Sequence, residues 1–204
     1  MDGTVKSWHR GIGRPDVAAA ALAILDTDGW PALTMRRVAQ DLDVKAASLY
    51  THIADKDDLL DAVLDLVLDS IELPPRRGRP RAALVRSFRA YRKALVAHPR
   101  VVRLMTQRSR LSMSQVRLVE RSVELLTEAG LSMREAVDAH VALVAFTLGF
   151  LMQEVGRPPG PPPPGALERP LFRATLESLA ERPVDERFDV GLARILDGVL
   201  AAGR

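Results

Sequence analysis

Between Thr34 and Lys56 the chain gathers hydroxyl, phenol, imidazole, guanidinium and ammonium groups: Thr34, Arg36, Lys45, Ser48, Tyr50, Thr51, His52 and Lys56. All can donate hydrogen bonds and several are cationic, so their natural partners are anionic oxygens and polar ring edges. They are not arranged for bond-making chemistry. The four histidines, His9, His52, His98 and His140, lack metal-ligand spacing, and no Gly-rich phosphate loop, nucleophile elbow or paired catalytic carboxylate occurs. With no cysteine in 204 residues, disulfides, thiolate metal sites and cysteine nucleophiles are excluded. The chain therefore reads as a recognition protein rather than an enzyme, with no metal and no cofactor.

Short helices must position these donors. The Thr34 hydroxyl can cap a helix running to about Leu42, on which Val38, Ala39 and Leu42 share one face. Asp43-Val44 makes the turn, Asp being one of the few residues that tolerates a left-handed backbone. A second helix from about Lys45 has only Leu49, with Ile53 beyond, to bury; Lys45, Ser48, Tyr50, Thr51 and His52 are left to meet something else. Asp55 caps a third, longer helix, with Asp57 and Asp58 in its first turn where the helix dipole favours negative charge. Two helices joined by so tight a turn form a helix-turn-helix, whose second helix enters the DNA major groove.

From about Val17 to Asp69 the sequence resembles the DNA-binding domain of TetR-family transcriptional regulators, on Leu33-Thr34, Arg36, Val38-Ala39, Leu42, Val44, Ser48-Leu49-Tyr50, His52, Lys56 and Leu59-Leu60. Asp43 stands where that family commonly has Gly, and Ile53 where it has an aromatic. The resemblance implies phosphate contacts from Thr34, Tyr50 and Lys56, and base-edge contacts from Arg36, Lys45, Ala46, Ala47, Ser48, Thr51 and His52. It implies an all-α fold: a three-helix DNA-binding domain over residues 16–60 and a larger helical effector-binding and dimerisation domain over 61–204. Residues 1–15, with Lys6, His9, Arg10 and Arg14 against one Asp2, are expected as a flexible basic arm, either following a DNA groove or disordered. Their low apolar content rules out a secretory signal.

The remaining sequence is helical at about 55–73, 81–98, 100–107, 114–129, 134–155, 171–181 and 185–202, with the Pro-rich loop 156–170 interrupting. From Leu73 to Val119 there is no Asp or Glu, while arginines recur; the preceding helix carries the acids. Either that acidic face meets the arginines, or the basic stretch draws an anionic ligand. The Val141–Met152 run is apolar all round, and Phe188, Leu192, Ile195, Leu196, Val199 and Leu200 form a stripe. These predict a four-helix homodimer interface containing Leu143, Phe146, Phe150, Leu192, Ile195, Leu196 and Val199. Phe146-Thr147-Leu148-Gly149 and the closing FDVGLARILDGVL resemble the tetracycline-repressor branch.

An effector pocket would draw on Tyr91, Met105, Gln107, Met113, His140, Phe146 and Phe150, each equally readable as core. Where tetracycline repressors keep drug-binding polar residues, this chain aligns Glu72, Ser87, Tyr91 and Met105, which implies another small-molecule effector, or none. The expected function is a ligand-responsive repressor, cytoplasmic, binding a near-palindromic double-stranded operator as a homodimer. The alternative is a helical dimeric interaction module without a DNA-binding or effector role. No run is expected to span a membrane.

Overall fold

The computed structural model describes residues 11–75, 78–107, 111–156 and 160–202, with only the backbone of Thr106, Gln107 and Ala202. Among these residues there are ten α-helices and no strand: α1 Arg14–Asp28, α2 Met35–Asp41, α3 Ala46–Leu49, α4 Lys56–Asp69, α5 Pro80–Ala97, α6 Pro99–Gln107, α7 Met113–Glu128, α8 Met133–Glu154, α9 Pro170–Glu181 and α10 Val184–Ala202.

The helix ends obey local chemistry. Thr34, Asp55, Ser112 and Ser132 each accept a backbone N–H three residues on, and the last two complete capping boxes with Gln115 and Glu135. Pro80, Pro99 and Pro170 stand at first helical positions, where a missing N–H costs nothing. Pro99 therefore begins α6.

Val17, Ala21, Ile24 and Leu25 form the buried face of α1 and pack with Val38, Leu49, Ile53, Leu59 and Val63. The same cluster continues through Leu64 and Leu68 to Leu95, Val101 and Leu104, so the division expected at residue 60 falls inside α4 and the apolar core crosses it. A second core joins α5, α7, α8 and α10 through Leu84, Phe88, Leu125, Leu143, Phe188, Leu192 and Leu196. Each fully buried Leu or Phe of this kind contributes roughly 1.5–3 kcal/mol.

Four expectations are corrected. Arg14 does not belong to the arm: it opens α1 and its guanidinium clamps Asp58, at 2.6 and 2.9 Å. Lys6, His9 and Arg10 lie outside the described residues. Arginines of the acid-free segment pair with α8 and α10 as well, Arg81 with Asp197, Arg89 with Asp189, and Arg92 with Glu154 and Asp185, while Arg117 reaches the acidic face of α4 at Asp69. Arg76, Arg77, Arg108 and Arg110 fall outside the described residues. The stretch Met133–Val155 is long and apolar enough to cross a membrane, contrary to expectation, but it packs along α7, α10 and α5.

The fourth concerns the dimer face. Leu143, Leu192 and Leu196 are enclosed within one chain, and the half-buried Phe146 and Phe150 meet the buried Phe188 of the same chain, Phe146 stacked at 5.5 Å and Phe150 edge-on at 5.3 Å. Arg92 lies over Phe150 and Phe188 at 5.7 and 5.0 Å from the ring centroids. Sequence periodicity marked the apolar side of these helices correctly, but α8 and α10 turn it toward each other. The exposed residues of α8 include Val141, Ala142, Ala145, Gly149 and Met152, and those of α10 include Arg194, Asp197 and Gly198, with Ile195 and Val199 half-buried. Every residue of α9 is exposed, Leu171, Phe172, Leu176 and Leu179 included.

Candidate DNA-binding surface and ligand cavity

The turn between α2 and α3 is closed by backbone bonds from Asp43 N–H to Gln40 C=O, 3.1 Å, and from Val44 N–H to Ala39 C=O, 2.9 Å. Asp43 has φ 54°, the left-handed geometry the turn requires. Ala39 is 3% exposed, so α3 crosses over a small side chain. Leu49 and Ile53 are completely buried and fix α3 to the core. The Leu49 carbonyl receives both His52 and Ile53 N–H at 2.9 Å, carrying the helical turn past Tyr50.

That anchoring leaves the polar side chains outward. Thr34, Arg36, Lys45, Ala46, Ala47, Ser48, Tyr50, Thr51, His52 and Lys56 are all exposed, Tyr50 by 55% despite its ring. The Thr51 hydroxyl donates to Ser48 C=O at 2.7 Å, and Thr34 Oγ1 accepts from Arg37 N–H at 3.1 Å. Each hydroxyl oxygen keeps further capacity for an outside partner.

Sequence reasoning missed the frame behind this face. Arg14 donates to both oxygens of Asp58 and, at 3.3 Å, to His52 C=O; Asp58 also accepts Ala54 N–H at 2.8 Å. One carboxylate thus joins the starts of α1 and α4 to the end of the α3 turn. The Asp55 and Asp57 neighbours had suggested a dipole role for Asp58, and nothing in the local pattern announced a partner 44 residues away. Arg37, overlooked beside Arg36, bridges Asp41 at 2.9 Å and Asp28 at 3.1 Å, which raises its pKa chiefly through the Asp41 hydrogen bond and locks α2 to the end of α1.

A cavity of about 160 Å³ opens between α5, α6, α7 and α8. Of the expected ligand residues, Tyr91, Met105 and His140 line it. Phe146 and Phe150 do not, being held in the aromatic stack, and Met113 is 77% exposed outside it; the Gln107 side chain lies outside the described residues. Ser87 lines the cavity and Glu72 does not. Gln115, Arg121 and Ser122 were missed: they sit on α7, whose apolar periodicity gave no hint that its polar positions turn inward. Burial raises the Tyr91 phenol pKa and lowers that of His140, so at neutral pH both are uncharged.

Two sets of bonds run from the helices that wall the cavity to α1 and α4, which carry the DNA-binding face. Ser114, at the start of α7, donates its N–H to Asp65 at 3.1 Å and its hydroxyl to Asp69 at 2.7 Å, both on α4. At the start of α6, Arg100 donates to Leu25 C=O at 2.9 Å and to Asp26 C=O on α1.

Comparison with known proteins decides what this arrangement is. Residues 17–63 match the family of bacterial regulatory proteins named for tetR, and residues 74–202 match the tetracyclin repressor-like C-terminal domain. The chain belongs to the TetR family. It is 31% identical to the class A tetracycline repressor from transposon 1721 of Escherichia coli, over 90% of this chain and 88% of that protein. Its fold is similar to that of Streptomyces coelicolor ActR in complex with actinorhodin, with TM-score 0.79 and 29% identity over 94% of this chain and 96% of the other. It is also similar to BioQ bound to its natural double-stranded DNA operator, with TM-score 0.68 and 30% identity over 94% and 99% of the two chains. As a TetR-family member the protein is a DNA-binding transcriptional regulator, not an enzyme.

Proposed function

We propose that this protein is a cytoplasmic repressor which binds a near-palindromic operator as a homodimer and leaves it when a small molecule fills the cavity between α5, α6, α7 and α8. The observation that carries this reading is that all ten expected contact residues lie exposed on or beside α2, α3 and the start of α4, while Leu49 and Ile53 are wholly buried. In this reading Thr34, Tyr50 and Lys56 hold phosphates and set register; Arg36, Lys45, Ala46, Ala47, Ser48, Thr51 and His52 read base edges. Two recognition helices one DNA turn apart require a dimer, and the exposed small-residue face of α8 with its neighbour α10 supports one.

Occupancy of the cavity reaches the DNA through bonds already in place. A ligand that spreads α6 or α7 pulls on α1 through Arg100 and on α4 through Ser114, and so changes the spacing of the two recognition helices. A mobility shift with the DNA upstream of the protein's own gene tests the reading. Salt-sensitive binding that weakens in Tyr50→Phe is the expected result. No binding at low salt would favour the dimeric interaction module instead.

A further inference from the structure

The cavity walls specify the kind of molecule they suit. Ser87 Oγ on α5, Ser122 Oγ on α7 and His140 Nδ1 on α8 are buried with no hydrogen-bond partner among the described residues, and all three residues line the cavity. Leaving a buried polar atom unpaired costs about 1–3 kcal/mol, and native interiors keep few such atoms. Three converging on one void from three helices mark where an occupant supplies the missing partners.

The charge of that occupant is constrained as sharply. Among the described residues Arg121 is the one charged side chain in the lining, and it is already matched: it donates to Glu124 at 2.7 Å and to Pro75 C=O at 3.3 Å, with Glu128 at 3.9 Å. No carboxylate of the described residues lines the cavity. Among the described residues an anion would find no uncompensated cation there and a cation no counter-charge, so either would lose its hydration without return. The remaining wall is mostly aliphatic and aromatic, Phe88 and Met105 included. An apolar void of about 150 Å³ holds a single aromatic ring, so one of about 160 Å³ that opens to the outside admits at least one ring.

We infer that the effector of this chain is an uncharged, compact ring compound whose hydroxyl or carbonyl groups bond Ser87, Ser122 and His140. The inference rests on the proposed reading of the cavity as the effector site. In the empty protein, waters at about 30 Å³ each can serve the same three atoms; the ring displaces them, and its affinity comes from the apolar walls.

Four probes of one shape separate the possibilities on the full-length protein: 1-naphthol, 1-naphthoate, 1-naphthylmethylammonium and naphthalene, with titration calorimetry and thermal unfolding as readouts. The expected result is that 1-naphthol binds and raises Tm, at least tenfold tighter than either ion and several-fold tighter than naphthalene. The double variant Ser87→Ala, Ser122→Ala should lose that advantage over naphthalene while unfolding no earlier, because the hydroxyls it removes bond no group of the described residues. Equal or tighter binding of 1-naphthoate or the ammonium overturns the uncharged assignment. Naphthalene binding as well as 1-naphthol overturns the role of the three polar atoms, and binding of none of the four overturns the compact ring occupant altogether. Anisotropy of a labelled operator, read alongside, keeps the two proposals apart: 1-naphthol that binds without releasing DNA leaves the cavity's selectivity for an uncharged ring standing and sinks the effector reading.

Discussion

His98 Nδ1 lies 2.7 Å from Asp26 Oδ2, tying the residue before α6 to the last turn of α1. Arg100, two residues on, donates to the carbonyls of Leu25 and Asp26 at the same helix end, which sets positive charge where the helix dipole is negative. Since α6 also carries Met105 into the cavity wall, one short helix touches both the ligand site and the frame of the DNA-binding face.

Cutting that link should uncouple sensing from DNA binding. His98→Ala combined with Arg100→Ala leaves the recognition face intact, so operator affinity without ligand should stay within about threefold of the parent, since each 1.4 kcal/mol is tenfold. Release by ligand should need several-fold more of it. Anisotropy of a labelled operator titrated with ligand reads both quantities, and an unchanged release curve would show that α6 does not transmit the signal.

The DNA contacts separate by salt. Tyr50→Phe removes one hydroxyl from an exposed ring and should weaken binding about three- to tenfold, the value of one hydrogen bond. Lys56→Ala should weaken it at every sequence and lower the log–log salt slope by about 1 per subunit. Arg36→Ala should relax sequence preference more than it changes the slope. An Arg36→Ala variant that keeps its sequence preference would remove Arg36 from the base-reading set.

The order of helices and the helix-turn-helix were legible because both are local: Thr34 and Asp55 cap the helices they precede, and Asp43 announces a left-handed turn within its own tetrapeptide. The pairing of faces was not. Phe146 and Leu192 look alike whether they meet a second copy or each other's helix. Only the fold shows that an added Cβ on Gly191 would stand 2.5 Å from the Phe146 ring, so α8 and α10 close on one another within the chain. The same limit hid Arg14 and Asp58, 44 residues apart, and the α7 polar positions of the cavity, whose inward direction depends on how α5 and α8 flank them.

Arg92 is the stability hinge of the larger body. Its side chain is 11% exposed, bonds Glu154 at 2.5 and 2.8 Å, and covers the Phe150 and Phe188 rings. Asp185 adds little, being 83% exposed. Arg92→Ala strands a mostly buried Glu154 carboxylate and should cost about 2–3 kcal/mol, lowering Tm by roughly 5–10 °C. Arg92→Ala with Glu154→Gln should recover part of that loss; calorimetric unfolding of the two variants measures it.

His140 gives a pH signature of defined sign. Burial holds its folded-state pKa below the ordinary value of 6.5, so above that pH neither state carries the proton and the residue contributes no pH dependence. As pH falls below 6.5 the unfolded chain takes up the proton first, and stability declines until the pH passes the depressed folded value, where it levels. His140→Gln should flatten this segment of the Tm–pH curve. A parent curve that rises on acidification through this window would contradict it.

The dimer face can be tested without disturbing the fold. A Cβ added at Gly198 on α10 meets nothing within 4 Å, whereas one at Gly191 collides with Phe146. Gly198→Arg should therefore fold as a single chain, and gain up to about 1 kcal/mol of helix propensity. If α10 lies against a second copy, the same side chain drives a charge into that contact, and sedimentation should find monomers. With the two recognition helices no longer linked, operator affinity should fall at least a hundredfold, as expected when an effective concentration is lost. Gly191→Ala should do the reverse, losing about 1–3 kcal/mol of stability to the Phe146 overlap while remaining dimeric. A Gly198→Arg protein that sediments as a dimer would move the interface off this face of α10.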